Sequence, residues 1–293
     1  MCISVLNIPF SIYSTFFIEE KFGFNRSTLS IFITDTLKTA LLAAVIGIPL
    51  LSLILSFLMK AGAFSWLYCW IGVFLFSVVM QFLAPVLILP LFNTFTPLKE
   101  GELRDAINHY SQKEKFNLQG IYTMDGSRRS TKLNAFFTGF GKFRKIVLFD
   151  TLIQKLAVHE IVAVLAHEMG HLKLNHIKKM MLFFGIQTGI MFFILSVFLK
   201  NHELIRSLGV AEYSIYTSIV FFSFIYSPVN MFLSILLKWI SRRHEFEADE
   251  YSVKTTGRAD ALIDGLKTLS KTNLSNLSPH PFFVLLNYTH PRY

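Results

Sequence analysis

Four uncharged apolar runs in the chain are each long enough to cross a lipid bilayer. Two lie in the N-terminal third, at about 39–59 and 61–92, and two follow at about 180–199 and 213–237. An α-helix needs about 20 apolar residues to span the hydrocarbon core, so each run predicts a membrane helix. Residues 1–18 are also apolar but too few to span the bilayer alone.

These runs divide the sequence into four regions. We predict N-terminal membrane helices with a cytoplasmic loop at 1–92, a polar region at 93–179, a pair of membrane spans at 180–237 and a second polar region at 238–293.

The first polar region combines helical and extended patterns. Leu103, Ile107 and Tyr110 recur at helical spacing in PLKEGELRDAINHYSQKEKF. The segments GIYTMD and KIVLFD predict β-strands, with NAFFTGFG between them as a further strand. From about Val158 the pattern becomes helical again and continues towards the third apolar run.

The charge pattern predicts how the spans are oriented. The chain is 53% apolar and 16% charged, with a net charge of +9. Its basic residues adjoin the apolar runs, so the expected partner is a lipid bilayer and not nucleic acid. The basic clusters are Lys21, Arg26 and Lys38; Lys173, Lys178 and Lys179; and Lys238, Arg242 and Arg243. All three clusters fall on one side of the membrane, which we predict to be cytoplasmic.

The segment VLAHEMGHLKLNH at 164–176 contains the motif H-E-x-x-H. His167 and His171 are four residues apart on a predicted helix, so their imidazoles share a face and can bind one Zn²⁺. Glu168 lies beside them, where it can act on a water molecule. His176 lies nine residues after His167 and would point to the opposite face of an unbroken helix. We therefore predict that His176 is not part of the site.

A catalytic zinc ion of this type needs a third protein ligand and an open position. The segment SRRHEFEADEY follows the fourth apolar run and lies on the same predicted side of the membrane. Glu245 and Asp249 share a helical face, whereas Glu247 points about 200° away from Glu245. We predict that Glu245 is the third ligand and that Asp249 holds a ligand imidazole in its tautomer.

These residues together predict a zinc metalloendopeptidase. Zinc would lower the pKa of a water molecule towards about 7, and Glu168 would take its proton and pass it to the leaving amine. The expected fold is a predominantly α-helical integral membrane protein with a small α+β cytoplasmic metalloprotease region. Cys2 and Cys69 are the only cysteines, too few for a disulfide framework or a thiolate metal cluster.

Beyond the zinc motif, the chain resembles the type I CAAX prenyl protease family over nearly its whole length. The matching segments, in family order, are PFSIYSTFFIEEKFGFNRST, FNTFTPLKEGELR, RSTKLNAFFTGFGKFRKIVLFDTL, LAHEMGHLKLNH, SPVNMFLSILLKWISRRHEFEAD and YTHPRY. The resemblance implies membrane helices around a water-filled chamber that one zinc ion faces. It also implies removal of the C-terminal tripeptide from prenylated proteins, or cleavage of other membrane-associated peptides. The active site would face the cytoplasm, at the endoplasmic reticulum or a bacterial inner membrane.

The resemblance extends to single residues. The family pattern places the third ligand at Glu245, in agreement with the helical-face argument. Asn134 falls in a strand that resembles the edge where substrate pairs by β-augmentation. His290 resembles a histidine that positions substrate or the oxyanion. Family members have seven spans and continue past the HP element, so we expect this chain to be a form shortened at both ends.

Two other interpretations stay open. Heat-shock membrane zinc endopeptidases, which act in quality control, share the zinc motif but generally lack the IEEKFGFN segment. A transporter with structural histidines, or a pseudoprotease, would also combine membrane spans with charged helix ends. The predicted zinc helix and its glutamate partner lie on one side of the membrane, which disfavours a transporter, and the intact Glu168 disfavours a pseudoprotease.

Overall fold

Long apolar helices and a small sheet make up the chain. The computed structural model describes residues 2–60, 62–139, 144–207, 209 and 214–290. Within these ranges, four helical segments are long and apolar enough to cross a membrane: Leu29–Lys60, Gly62–Phe92, His176–Lys200 and Ile215–Thr256. All four predicted runs are therefore helical over the residues that the structure describes, and the first and last helices extend well beyond their apolar runs.

The N-terminal segments contain two irregular stretches. Helix α1 (Cys2–Tyr13) continues into a π-helical turn at Ser14–Glu19 and precedes α2 (Leu29–Lys60). The second apolar segment comprises a 3₁₀ turn at Gly62–Phe64, α3 at Ser65–Leu83, a π-helical stretch at Ala84–Ile88 and α4 at Leu89–Phe92. Pro85 and Pro90 lie at its breaks. Each proline lacks an N–H and cannot complete the regular helical hydrogen bonds.

A four-stranded sheet forms the centre of the first polar region. Its strands are β1 (Phe95–Pro97), β2 (Gly120–Met124), β3 (Ala135–Thr138) and β4 (Lys145–Phe149). The spatial order is β1-β2-β4-β3, with β2 and β4 parallel and the other pairs antiparallel. β3 is therefore an edge strand. The three predicted strands are present, and β1 is an additional strand that we did not predict.

Helices cover this sheet and complete a hydrophobic core. They are α5 (Glu102–Lys113), α6 (Asp150–Lys155) and α7 (Val158–Lys173). The buried side chains that they share with the sheet include Ile107, Ile121, Ile146, Leu148, Leu152, Ile161 and Leu165. The H-E-x-x-H helix is thus packed against a rigid support.

The helix that contains the motif does not run into the third apolar segment, contrary to one sequence-based interpretation. α7 ends at Lys173, and α8 (His176–Lys200) begins three residues later. Between them Asn175 has a φ of 58°, in the left-handed region, which asparagine adopts more readily than most residues. The chain therefore changes direction inside VLAHEMGHLKLNH.

The C-terminal part contains the longest helix. α9 (His202–Ser207) precedes α10 (Ile215–Thr256), which is followed by α11 (Ala259–Thr272) and α12 (Pro281–Asn287). α10 is continuous across residues 237 and 238, where the apolar run ends. One helix therefore carries both membrane-facing residues and the HEFEAD segment.

Candidate metal centre

The site forms where α7 and α10 cross at Gly170. A Cβ atom at Gly170 would lie 3.1 Å from Ala248 Cα and 3.3 Å from the Ala248 carbonyl oxygen. In the same interface, Ser252 Oγ donates to the Ala163 carbonyl oxygen at 2.7 Å. These small residues allow the two backbones to approach closely. The approach brings the H-E-x-x-H face of α7 against HEFEAD on α10.

Three potential ligand atoms converge at this crossing. The Nε2 atoms of His167 and His171 are 3.2 Å apart. Glu245 Oε2 lies 3.3 Å from His167 Nε2, and Oε1 lies 3.6 Å from His171 Nε2. Tetrahedral zinc, with bonds of about 2.0–2.1 Å, separates its ligand atoms by about 3.4 Å. The three side chains therefore have the spacing that such an ion requires.

Among the described residues, the Oε2 atom of Glu245 makes only long contacts with nitrogen atoms, to His167 Nε2 at 3.3 Å and to His290 Nε2 at 3.4 Å. This atom is buried and makes no hydrogen bond within the described part of the chain. A buried carboxylate oxygen normally has a hydrogen-bond donor or a cation beside it. A metal ion at the convergence point would supply that partner, so these residues fit a metal.

Asp249 determines the tautomer of His167. Its Oδ1 atom lies 2.8 Å from His167 Nδ1, so Nδ1–H donates and Nε2 faces the other ligand atoms. Burial alone would lower the pKa of His167, but the hydrogen bond to Asp249 and the nearby carboxylate of Glu245 outweigh it and raise the pKa to about 9. Without metal the ring therefore holds a proton that a cation must displace.

Glu168 lies next to the converging ligand atoms. It lines one cavity together with His171 and Glu245. Burial raises the pKa of Glu168, and the neighbouring imidazoles of His167 and His171 oppose that rise. A carboxylate that faces the cavity beside the ligand atoms is placed to accept and return a proton, and its raised pKa makes it a stronger base.

His176 contacts this cluster, so the prediction that it points to the opposite face of the helix was wrong. Its Nδ1 atom lies 3.0 Å from His171 Nδ1, and its Nε2 atom lies 3.0 Å from Glu247 Oε2. Its ring stacks on His244 with centroids 4.1 Å apart. The prediction assumed an unbroken helix, but the turn at Asn175 brings His176 back towards the motif. No local pattern in the sequence indicates this contact.

The C-terminal segment reaches the same ligand cluster. His290 Nε2 lies 3.4 Å from Glu245 Oε2. Arg242 on α10 donates to the carbonyl oxygens of Val284 at 3.2 Å and Tyr288 at 2.7 Å. It thereby holds α12 and the following residues against α10. From the sequence we predicted Arg242 only as a membrane-flanking charge. Its partners are backbone carbonyl groups, which every residue has, so no sequence pattern indicates this contact.

Asn134 lies on a second cavity beside the metal centre. This cavity has a volume of about 540 Å³, and Asn134, Asn273 and His290 are among its lining residues. Asn273 accepts a hydrogen bond from the Leu133 N–H at 2.9 Å and donates to the Leu133 carbonyl oxygen at 3.2 Å. It therefore holds the chain just before edge strand β3. Through His290, the cavity adjoins Glu245.

The first cavity is largely apolar. It has a volume of about 570 Å³, and Glu168, His171 and Glu245 are part of its wall. Its apolar lining comes from α3 and α8 and includes Phe74, Val78, Ile177, Met180, Met181 and Phe184. An apolar chain bound there would lie beside the ligand cluster.

Two family models match adjoining parts of the chain. Residues 97–293 match the model of peptidase family M48. Residues 1–94 match the model described as CAAX prenyl protease N-terminal, five membrane helices. The first match includes the whole candidate metal centre, and the second includes the first two long apolar segments.

Individual relatives and a solved structure agree with the family models. The chain is 38% identical to the CAAX prenyl protease 1 homolog of Arabidopsis thaliana, covering 98% of this chain and 68% of the relative. It is 33% identical to the Homo sapiens homolog, covering 98% and 69%. The crystal structure of S. mikatae Ste24p matches with a TM-score of 0.92 and 35% identity, covering 98% and 70%. The chain thus belongs to peptidase family M48 and is a membrane-embedded metallopeptidase.

Proposed function

We propose that this protein is a zinc endopeptidase in which His167, His171 and Glu245 hold the metal. The observation that carries this proposal is the convergence of their Nε2 and carboxylate atoms, with the buried Glu245 Oε2 atom making no hydrogen bond to any described residue. When bound, zinc supplies a Lewis acid and an activated water molecule. Zinc is also the usual ion for two imidazoles and one carboxylate.

Glu168 performs the proton transfers in this proposal. It accepts the proton of the attacking water molecule and later delivers it to the amine that leaves when the peptide bond breaks. Its raised pKa favours the first step, because a carboxylate with a higher pKa is a stronger base and takes up a proton more readily. Asp249 keeps His167 in the tautomer that exposes Nε2, and His290 donates a hydrogen bond to the substrate carbonyl or the developing oxyanion.

Two surfaces favour a peptide with an apolar end. The edge of β3 can bind an extended peptide by strand addition, and Asn134 lies at the start of that edge. The apolar cavity can take a hydrocarbon chain next to Glu168. Because the relatives are named CAAX prenyl proteases, we propose prenylated proteins as substrates, cut to release their C-terminal tripeptide.

We further propose that the metal centre faces the cytoplasm. The three basic clusters lie on one side of the predicted spans, and both halves of the metal centre belong to that side. The division of the chain at residues 92, 179 and 237 stays a prediction. In a eukaryotic cell this orientation would give access to proteins prenylated in the cytosol.

The test uses the purified protein, a fluorescence-quenched prenylated peptide and the same peptide without prenyl. We expect one zinc ion in wild type and in Glu168→Gln, with cleavage reduced at least about 10²-fold in the variant. Glu250→Gln is the matched control, because this exposed glutamate on α10 pairs only with Lys254 in the described structure.

Other outcomes identify the alternative functions. Zinc binding without any Glu168-dependent cleavage would indicate a pseudoprotease, and absence of zinc would favour a transporter. Equal cleavage of both peptides would favour a quality-control protease of the heat-shock type.

A further inference from the structure

The Nδ1 atoms of His167 and His171 have different hydrogen-bond partners. His167 contacts a carboxylate directly, through Nδ1 and Asp249. His171 contacts another histidine, with its Nδ1 atom 3.0 Å from Nδ1 of His176. The far nitrogen of His176 lies 3.0 Å from Glu247 Oε2. A continuous line of hydrogen bonds therefore runs from His171 to a carboxylate.

We propose that His176 and Glu247 form a positioning relay that orients His171 and increases its basicity as a metal ligand. This inference rests on the proposed zinc site. It adds two residues to that site, neither of which touches the reacting atoms. Glu247 acts through His176, so both are positioning residues rather than catalytic ones.

Metal binding at His171 Nε2 determines every tautomer in the relay. When Nε2 binds a cation, the ring proton of neutral His171 is on Nδ1, which then donates to His176 Nδ1. His176 must accept there, so its own proton is on Nε2 and is donated to Glu247. Each hydrogen bond has one donor and one acceptor.

The surroundings keep this arrangement in place. His176 is 2% exposed, and its ring stacks on His244 with an angle of 7° between the planes. Arg243 Nε donates to the other oxygen of Glu247 at 3.1 Å, which holds that carboxylate in its charged form. A carboxylate at the end of a hydrogen-bonded chain polarises the intervening groups.

A second metal ion is the competing explanation for this cluster. The ligand atoms of His176, His244 and Glu247 lie within 4.8 Å of one another. However, an imidazole binds a metal close to its own plane, and the two rings are parallel with centroids 4.1 Å apart. Their planes do not meet at a common point, so the observed arrangement suits hydrogen bonding better than chelation.

The experiment measures zinc affinity and stoichiometry by chelator competition on the purified full chain. We expect Glu247→Ala and His176→Phe each to weaken zinc binding about tenfold, the lower end of the usual effect of such partners. The double variant should be no weaker than either single one, since both substitutions interrupt the same line. His176→Gln, which can accept and donate, should recover much of the loss.

Control variants separate this relay from the zinc site itself. Glu250→Ala removes an exposed, lysine-paired glutamate from the same helix and should leave affinity unchanged. Suppose that His171→Ala abolishes zinc binding, whereas Glu247→Ala and His176→Phe bind zinc as tightly as wild type. That result would rule out the proposed relay and still support the proposed zinc site. If wild type binds no zinc, both proposals fail.

Two further results would overturn the relay. If the losses of zinc affinity in the two single variants add up in the double variant, the two residues act independently. A second zinc ion that disappears in His244→Phe, which preserves an aromatic ring for stacking, would assign the cluster to a second metal site.

Discussion

His167 and His171 are four residues apart on one helix, yet their chemical surroundings differ. The proton on His167 is held by Asp249 at 2.8 Å and by the nearby Glu245, and the pKa of His167 rises to about 9 as a result. In the metal-free protein this group is charged at neutral pH. Metal binding must therefore displace a proton.

This competition predicts how zinc affinity depends on pH. Because the pKa of His167 is raised from 6.5 to about 9, apparent zinc affinity should increase with pH across that window and level off above it. Asp249→Asn removes the stronger partner and lowers that pKa. Calorimetry in buffers of different ionisation enthalpy should show less proton release per zinc at pH 7.5 in the variant. Equal proton release would show that Asp249 does not hold the proton.

At the scale of elements, the site depends on the close crossing of two helices. α7 contributes His167, Glu168 and His171, and α10 contributes Glu245 and Asp249. Ridges of side chains usually keep helix axes about 8–10 Å apart. Here Gly170 packs directly on the backbone of α10, so a small displacement of either helix would separate the ligand atoms.

Gly170→Ala tests this crossing. The new Cβ atom would lie 3.1 Å from Ala248 Cα, and the backbone there can yield only by moving the helix. We expect a loss of about 1–3 kcal/mol in stability together with weaker zinc binding. Gly72→Ala is the matched control, because Gly72 is also helical and a Cβ atom there would meet no neighbour within 4 Å. Thermal unfolding in detergent and chelator competition measure the two effects.

At the scale of the whole molecule, the metal centre joins parts that are far apart in sequence. A bound ion would connect α7 to α10, and His290 adds the C-terminal segment through Glu245. Arg129 makes a separate connection, with a two-pronged ion pair to Asp35 on α2 at 2.7 and 3.1 Å. The first polar region is thus attached to α2 by the ion pair, and a bound ion would also attach it to α10.

Removing the metal should therefore lower the stability of the whole protein. A ligand at about 100 times its Kd stabilises the state that binds it by about 2.7 kcal/mol. We expect chelator to lower Tm and added zinc to restore it. His171→Ala, which lacks one ligand, should unfold at the same temperature with and without chelator. A chelator effect of equal size in that variant would point to an ion bound elsewhere.

Patterns that depend on neighbouring residues could be predicted from the sequence. The apolar runs had to be helical, because a bilayer core leaves backbone groups no other partners. The spacing of His167 and His171, and that of Glu245 and Asp249, follows from the helical repeat. The same repeat places Glu247 on a different face from Glu245, and the structure shows it directed to His176.

Contacts between distant segments were decided only by the tertiary structure. The turn at Asn175 ended the helix and brought His176 to the back of His171, where an unbroken helix would have kept it away. Arg242 binds backbone carbonyl groups more than forty residues later in the chain, and the position of β3 at the sheet edge depends on the pairing order. The sequence alone thus determined which groups share a helical face, because helical geometry is local. Which faces meet was decided by packing and chain reversal, which involve residues with no fixed separation in the sequence.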